Sequence, residues 1–151
     1  MIHDWPIPDP NIWRMLVKKE LNESKISFCD LGITDLRESI PKFLNGVFSF
    51  VGSGYEKPSL LSSKLTYSVP PDKRTQLIYF RAGNSSDEMI YVVMMRDGVP
   101  MRYFAVGARA GTHDPLAVVE DLFPETKLEA FLGAPADATG YVMIDIGLVE
   151  I

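Results

Sequence analysis

A β-hairpin between Met89 and Gly107, MIYVVMMRDGVPMRYFAVG, constrains this chain more than any other stretch. Two runs rich in β-branched, aromatic and Met residues flank Asp97-Gly98, the strongest short hairpin signal a sequence offers. The chain around it has a matching rhythm. In KLTYSV, Leu65, Tyr67 and Val69 alternate with polar residues, as in a strand with one buried face. The same reading predicts strands at 64–69, 75–82, 89–96, 100–107, 115–122, 127–132 and 141–151. Seven strands joined by short links are typical of an antiparallel β-sandwich or a barrel, and the expectation is a mainly β fold, an antiparallel β-sandwich over residues 64–151. Met89–Met95 is apolar on both faces. It therefore reads as a central strand with one face in the core and the other covered, by the N-terminal region or by a partner subunit.

Residues 1–63 read differently. Pro6, Pro8 and Pro10 predict an extended arm that carries Trp5 and Ile7. Asp9 and Pro10 can open a helix in which Ile12, Trp13, Leu16, Val17 and Leu21 share a face. Lys25–Asp30 suits a short strand. Asp35 and Glu38 fit a variant capping box for a second short helix, limited by Pro41. Asn45-Gly46 reads as a stop or turn, residues 47–51 as a weak strand, and Val51–Tyr55 as flexible. The expectation is a single domain over 1–151, a short α-containing N-terminal region packed on the sandwich. One domain of 151 residues is long enough to bury a substantial core.

Composition narrows the function classes. With 20 acidic against 15 basic residues the net charge is −5. Arg81, Arg96, Arg102 and Arg109 lie on separate strands and loops rather than in a cluster, which argues against nucleic acid as a partner. The single cysteine, Cys29, excludes an intrachain disulfide and is compatible with a reducing cytoplasm. The first residues do not read as a secretory signal, and no apolar stretch approaches the roughly 20 residues a bilayer requires, so no membrane partner is expected.

Alternating strand direction places the links 83–88, 108–114 and 133–140 at one end of the fold. The tight links 97–99 and 123–126 fall at the other. Binding residues favour longer polar loops on a rigid scaffold. The candidate ligand-binding residues are therefore Arg81, Asn84, Asp87, Arg109, His113 and Asp114. His113 could act as a base, a ligand or a pH sensor, and Asp87, Glu88 and Asp137 could complete a metal site. No metal-ligand spacing such as HxH or HExxH accompanies it, and Asp114-Pro115 is an ordinary turn-initiating pair. Arg81 at a strand end beside Gly83 and Asn84 could recognise a carboxylate or a sugar hydroxyl. Tyr79, Tyr91, Tyr103 and Tyr141 could form an aromatic platform for a sugar ring, although strand propensity and cross-strand packing also account for them.

Several catalytic signatures are absent. Gly52-Ser53-Gly54 lacks the spacing of a nucleophile elbow, and there is no phosphate loop or dinucleotide fingerprint. The strand spacing resembles that of non-catalytic sandwich modules such as carbohydrate-binding or fibronectin-like domains, a likeness of fold that does not itself give function. The expected function is a non-enzymatic binding or assembly module without cofactor. Its partners would be a second copy, another protein, or a small polar ligand or sugar. The alternative is a small metal-dependent or hydrolytic enzyme that uses His113 with loop carboxylates.

Overall fold

The computed structural model describes residues 39–151, which form one compact unit. The expected arm, first helix, strand at 25–30 and capping box at 35–38 lie outside the described residues. Two five-stranded antiparallel sheets make an antiparallel β-sandwich. Among the described residues no helix is long and apolar enough to cross a membrane.

The first sheet, sheet A, contains β1 (Ile40–Val51), β4 (Thr75–Asn84), β7 (Gly111–Pro115), β8 (Asp121–Leu122) and β10 (Thr139–Glu150). Its order is β1-β10-β4-β7, and β8 also pairs with β4. The second, sheet B, contains β2 (Ser59–Leu60), β3 (Tyr67–Ser68), β5 (Ile90–Arg96), β6 (Val99–Val106) and β9 (Lys127–Gly133). Its order is β2-β9-β5-β6, and β3 also pairs with β9.

Period-two alternation builds the core. Phe80 and Ala82 of β4 and Val142, Ile144 and Ile146 of β10 face Ile90, Val92 and Met94 of β5 and Leu128, Ala130 and Leu132 of β9. Phe80 stacks on Phe104 across the two sheets, with centroids 4.2 Å apart. Polar contacts also tie the sheets together at the end remote from the long loops. The Tyr67 hydroxyl on β3 donates to Glu150 Oε1 at 2.6 Å and lies 3.0 Å from Thr75 Oγ1. Glu150 is itself buried. Burial, followed by the bond to Glu150, pushes the Tyr67 hydroxyl up to about 12.

The hairpin forms as expected, with Asp97 at φ 50° and Gly98 at φ 78°. β5 lies in the middle of sheet B, and Val93, on its outer side, is fully buried. Across the ladders Val93 is flanked by Tyr103 and Phe131.

Three expectations are corrected. The sandwich begins at Ile40 rather than at Lys64, because Pro41 and Asn45-Gly46 lie inside β1 instead of bounding a helix and a turn. β1 is a sheet edge, where a proline's missing N–H is tolerated. Gly46 leaves the space that the Phe48 ring occupies. The strand expected at 115–122 is displaced. β7 ends at Pro115, and the chain leaves the ladder until β8. Within 64–69, Ser62 caps a 3-10 turn at Ser63–Leu65, so only Tyr67–Ser68 pairs.

Candidate functional site

The long links do meet at one end, but mainly to bond one another. Asn84 is 5% exposed. Its Nδ2 donates to Glu88 O at 2.8 Å and Gly107 O at 3.1 Å, and its Oδ1 accepts from Ser86 N at 2.9 Å. The side chain is thus used in holding two loops to the end of β4. Ser85 exchanges bonds with Tyr141, donating N–H to its carbonyl and accepting its N–H on Oγ at 2.8 Å. Arg109 N donates to Ser86 O at 2.9 Å, and its guanidinium pairs with Asp87 at 2.5 Å on the open surface. The stretch expected to be flexible joins the same end. Gly52 N donates to Ala138 O at 2.7 Å, and Gly54 N to Ala134 O at 2.8 Å.

His113 and Asp114 are not in this loop. β7 begins at Gly111, so both lie on a strand and point to opposite sides of it. His113 pairs with Arg81 and meets the Tyr79 ring edge-on at 6.1 Å. Arg81 sits 3.8 Å from Asp145, which also accepts from the Tyr79 hydroxyl at 3.1 Å. Burial, then this bond, raises the Tyr79 pKa. His113 therefore belongs to an outer sheet face, whereas Asp87, Glu88 and Asp137 lie in loops. Among the described residues no three His, Cys, Asp or Glu side chains converge so as to hold a metal ion.

Asp114 turns to the other side, toward the open edge of the sandwich. There β6, the last strand of sheet B, and β7, the last strand of sheet A, border a cleft of about 400 Å³. Its walls include Arg102, Tyr103, Ala105, Thr112, Asp114 and Leu116. Thr112 Oγ1 donates to Asp114 Oδ2 at 2.9 Å. Arg102 Nη2 donates to Val118 O at 2.8 Å, which ties the segment after β7 to sheet B.

Tyr103 also belongs to a second feature, a row of three tyrosines on the outer face of sheet B. Tyr55 and Tyr91 stack with centroids 6.3 Å apart and planes 24° apart. Tyr91 and Tyr103 follow at 5.6 Å with a tilt of 56°. Gly133 of β9 is paired with Tyr91, and a side chain at Gly133 would occupy the place of the Tyr91 ring. The glycine thus lets the ring lie across the neighbouring strand. The Tyr91 hydroxyl donates to the Tyr55 carbonyl, and the Tyr55 hydroxyl donates to Met89 O at 2.7 Å. Both rings are held in place by these bonds. Burial, then the nearness of Tyr103, raises the Tyr91 pKa. Tyr103 itself is 63% exposed and Tyr55 40%.

The sequence-level platform is therefore split. Tyr91 and Tyr103 share sheet B, while Tyr79 and Tyr141 lie on the outer face of sheet A. Tyr55 joins the first pair from a loop. Its only sequence signal is an aromatic residue after Gly52-Ser53-Gly54.

No protein-family model and no curated protein matches the chain. Solved structures do. A CBM36-1 domain of a multidomain xylanase from the hindgut metagenome of Trinervitermes trinervoides has 13% identity and a TM-score of 0.44, covering 70% of this chain and 95% of that one. A family 35 carbohydrate-binding module from Clostridium thermocellum has 11% identity and a TM-score of 0.39, covering 74% and 92%. PirA has 10% identity and a TM-score of 0.31, covering 75% and 94%.

Proposed function

We propose that residues 39–151 form a non-enzymatic binding module that takes a carbohydrate across Tyr55, Tyr91 and Tyr103. One observation carries this reading: three tyrosine rings follow one another on the outer side of sheet B, with centroids 6.3 and 5.6 Å apart. The apolar face of a sugar ring stacks on a flat aromatic ring, and a row of rings suits a chain of sugars. The platform is pre-organised, because the Tyr55 and Tyr91 hydroxyls are tethered to backbone carbonyls. Such a surface binds and presents a glycan without transforming it.

The test is calorimetric titration of the full chain with neutral oligosaccharides of the glucan, xylan and mannan series. Binding by one series that is lost in both Tyr103→Ala and Tyr91→Ala supports the reading. Equal binding by these variants overturns it.

Self-association is a second reading, favoured by the outer face of sheet A. There Val47 and Val51 of β1 lie beside Met143 and Tyr141 of β10, with Phe43 farther along β1, all exposed. An apolar patch of this kind marks interaction surfaces. Light scattering at micromolar concentration tests it, and a monomer there would count against it.

A further inference from the structure

The tyrosine row and the edge cleft meet at one residue. Tyr103 forms the last ring of the row and part of the cleft wall. We propose that the cleft between β6 and β7 is a hydroxyl-reading subsite for an uncharged glycan, with Asp114 as acceptor and Arg102 as donor. This rests on the carbohydrate reading above and adds the class of sugar and the residues that select it.

Two side chains of the cleft keep unused polar atoms. Thr112 Oγ1 holds Asp114 Oδ2, which fixes the carboxylate and leaves Oδ1 with no hydrogen-bond partner among the described residues. Arg102 commits Nη2 to the Val118 carbonyl, which anchors the guanidinium. Its Nε and Nη1 have no partner among the described residues. An anchored acceptor and an anchored donor therefore line one cleft, each with capacity to spare.

This pairing matches the chemistry of neighbouring sugar hydroxyls. One hydroxyl donates to Asp114 Oδ1, and the adjacent oxygen accepts from Arg102. Charge-assisted bonds of this kind are the stronger class. The charges also restrict the ligand. The cleft offers one group of each sign, so a sugar carboxylate or sulfate gains contact with Arg102 only by approaching Asp114. A neutral sugar satisfies both. The division of labour is then spatial: the tyrosine row supplies stacking that tolerates many sugars, and the cleft discriminates by hydroxyl pattern.

The experiment uses the full chain and the oligosaccharides named above, each also in O-methylated form. Asp114→Asn keeps the side chain's shape and removes its charge. It should weaken binding of the unmodified sugar about tenfold, the loss expected for one charged hydrogen bond. With the O-methylated sugar, Asp114→Asn and the parent protein should bind alike. Thr112→Val should give a smaller loss of the same kind. Thermal melting confirms that each variant is folded, and the two substitutions provide independent readouts. If Asp114→Asn and Thr112→Val bind as the parent does while Tyr103→Ala does not, the subsite is overturned and the tyrosine platform stands. If Tyr103→Ala binds as the parent does, or if no neutral sugar binds, both proposals fall. Preferred binding of uronic-acid or sulfated sugars overturns the proposed selectivity.

Discussion

The outer faces of the two sheets share one device and differ in their surroundings. In sheet B, Tyr91 lies across Gly133; in sheet A, Tyr79 lies across Gly147. Each glycine lets an outward tyrosine on an adjacent strand lie flat over its neighbour. The Tyr91 hydroxyl is tied to a backbone carbonyl, and its ring extends into a row with Tyr55 and Tyr103. The Tyr79 hydroxyl is tied to Asp145, and its neighbours are Arg81 and His113. A tyrosine laid over a glycine is thus a sheet-building element. Function depends on what surrounds the ring.

The sharpest contrast is between two tyrosines of nearly equal exposure, Tyr103 at 63% and Tyr141 at 62%. Tyr103→Ala should reduce glycan affinity about 30-fold, or about 2 kcal/mol, as at a binding hot spot. Tyr141→Ala should leave affinity unchanged. Both should stay within about 0.5 kcal/mol of parental stability. Equal losses of binding in calorimetric titration would erase the difference between the faces.

The glycines offer a second contrast. Gly133→Ala and Gly147→Ala each place a methyl group where a tyrosine ring lies. Both should destabilise by about 1–3 kcal/mol in urea unfolding, the range for overpacking. Only Gly133→Ala should also weaken sugar binding, by about tenfold if the lifted ring forfeits much of one hot-spot contact.

A third test concerns the link that joins the two sheets. Tyr67→Phe removes the donor to buried Glu150 and should cost about 1 kcal/mol. The pH dependence follows from the direction of the Tyr67 shift. In the unfolded chain the phenol ionises near 10.0, and in the fold near 12. Between these values the unfolded state has lost the proton and the native state retains it, so stability falls as pH rises. The contribution is intact below pH 10 and is lost as the pH passes 12. Tyr67→Phe should flatten this part of the stability profile and leave sugar binding at neutral pH unchanged. A profile identical to that of the parent would show that another group controls the alkaline loss.

Much of the architecture was legible because local chemistry agreed with the final packing. Asp97-Gly98 could be read directly, since a tight turn demands left-handed residues. The alternation in 127–132 marks Leu128, Ala130 and Leu132 as one face, and these three do lie in the core. β1 was hidden because Pro41 and Asn45-Gly46 are breakers by local rule, and only the sheet-edge setting makes them acceptable. The turn rule that allows Pro115 to open a strand points the wrong way, since Pro115 ends β7. At the candidate site, Asp114 is the one residue among the six sequence candidates that lines the cleft. Asn84 reads as a ligand residue because polar loop residues often are, but the Glu88 and Gly107 carbonyls take up its amide. Tyr55 was missed because its place is set by long-range bonds to Met89 and Tyr91. No window along the chain contains that information.

The position of β10 has a consequence for how the molecule assembles. This strand lies between β1 and β4 and pairs along its length with β1, yet it follows every other strand in the sequence. The β5–β6 hairpin can close as soon as its own residues exist. Sheet A must wait for residues 139–150, and closing such distant pairs is slow. A chain ending before Thr139 would have sheet B strands with only part of an opposing layer. β4 would lack its principal ladder partner, Phe80 would lose its neighbour Ile146, and the freed strand edge would be open to other chains. Folding yield should therefore be most sensitive to the last twelve-residue strand, which belongs to the other sheet from Tyr91 and Tyr103.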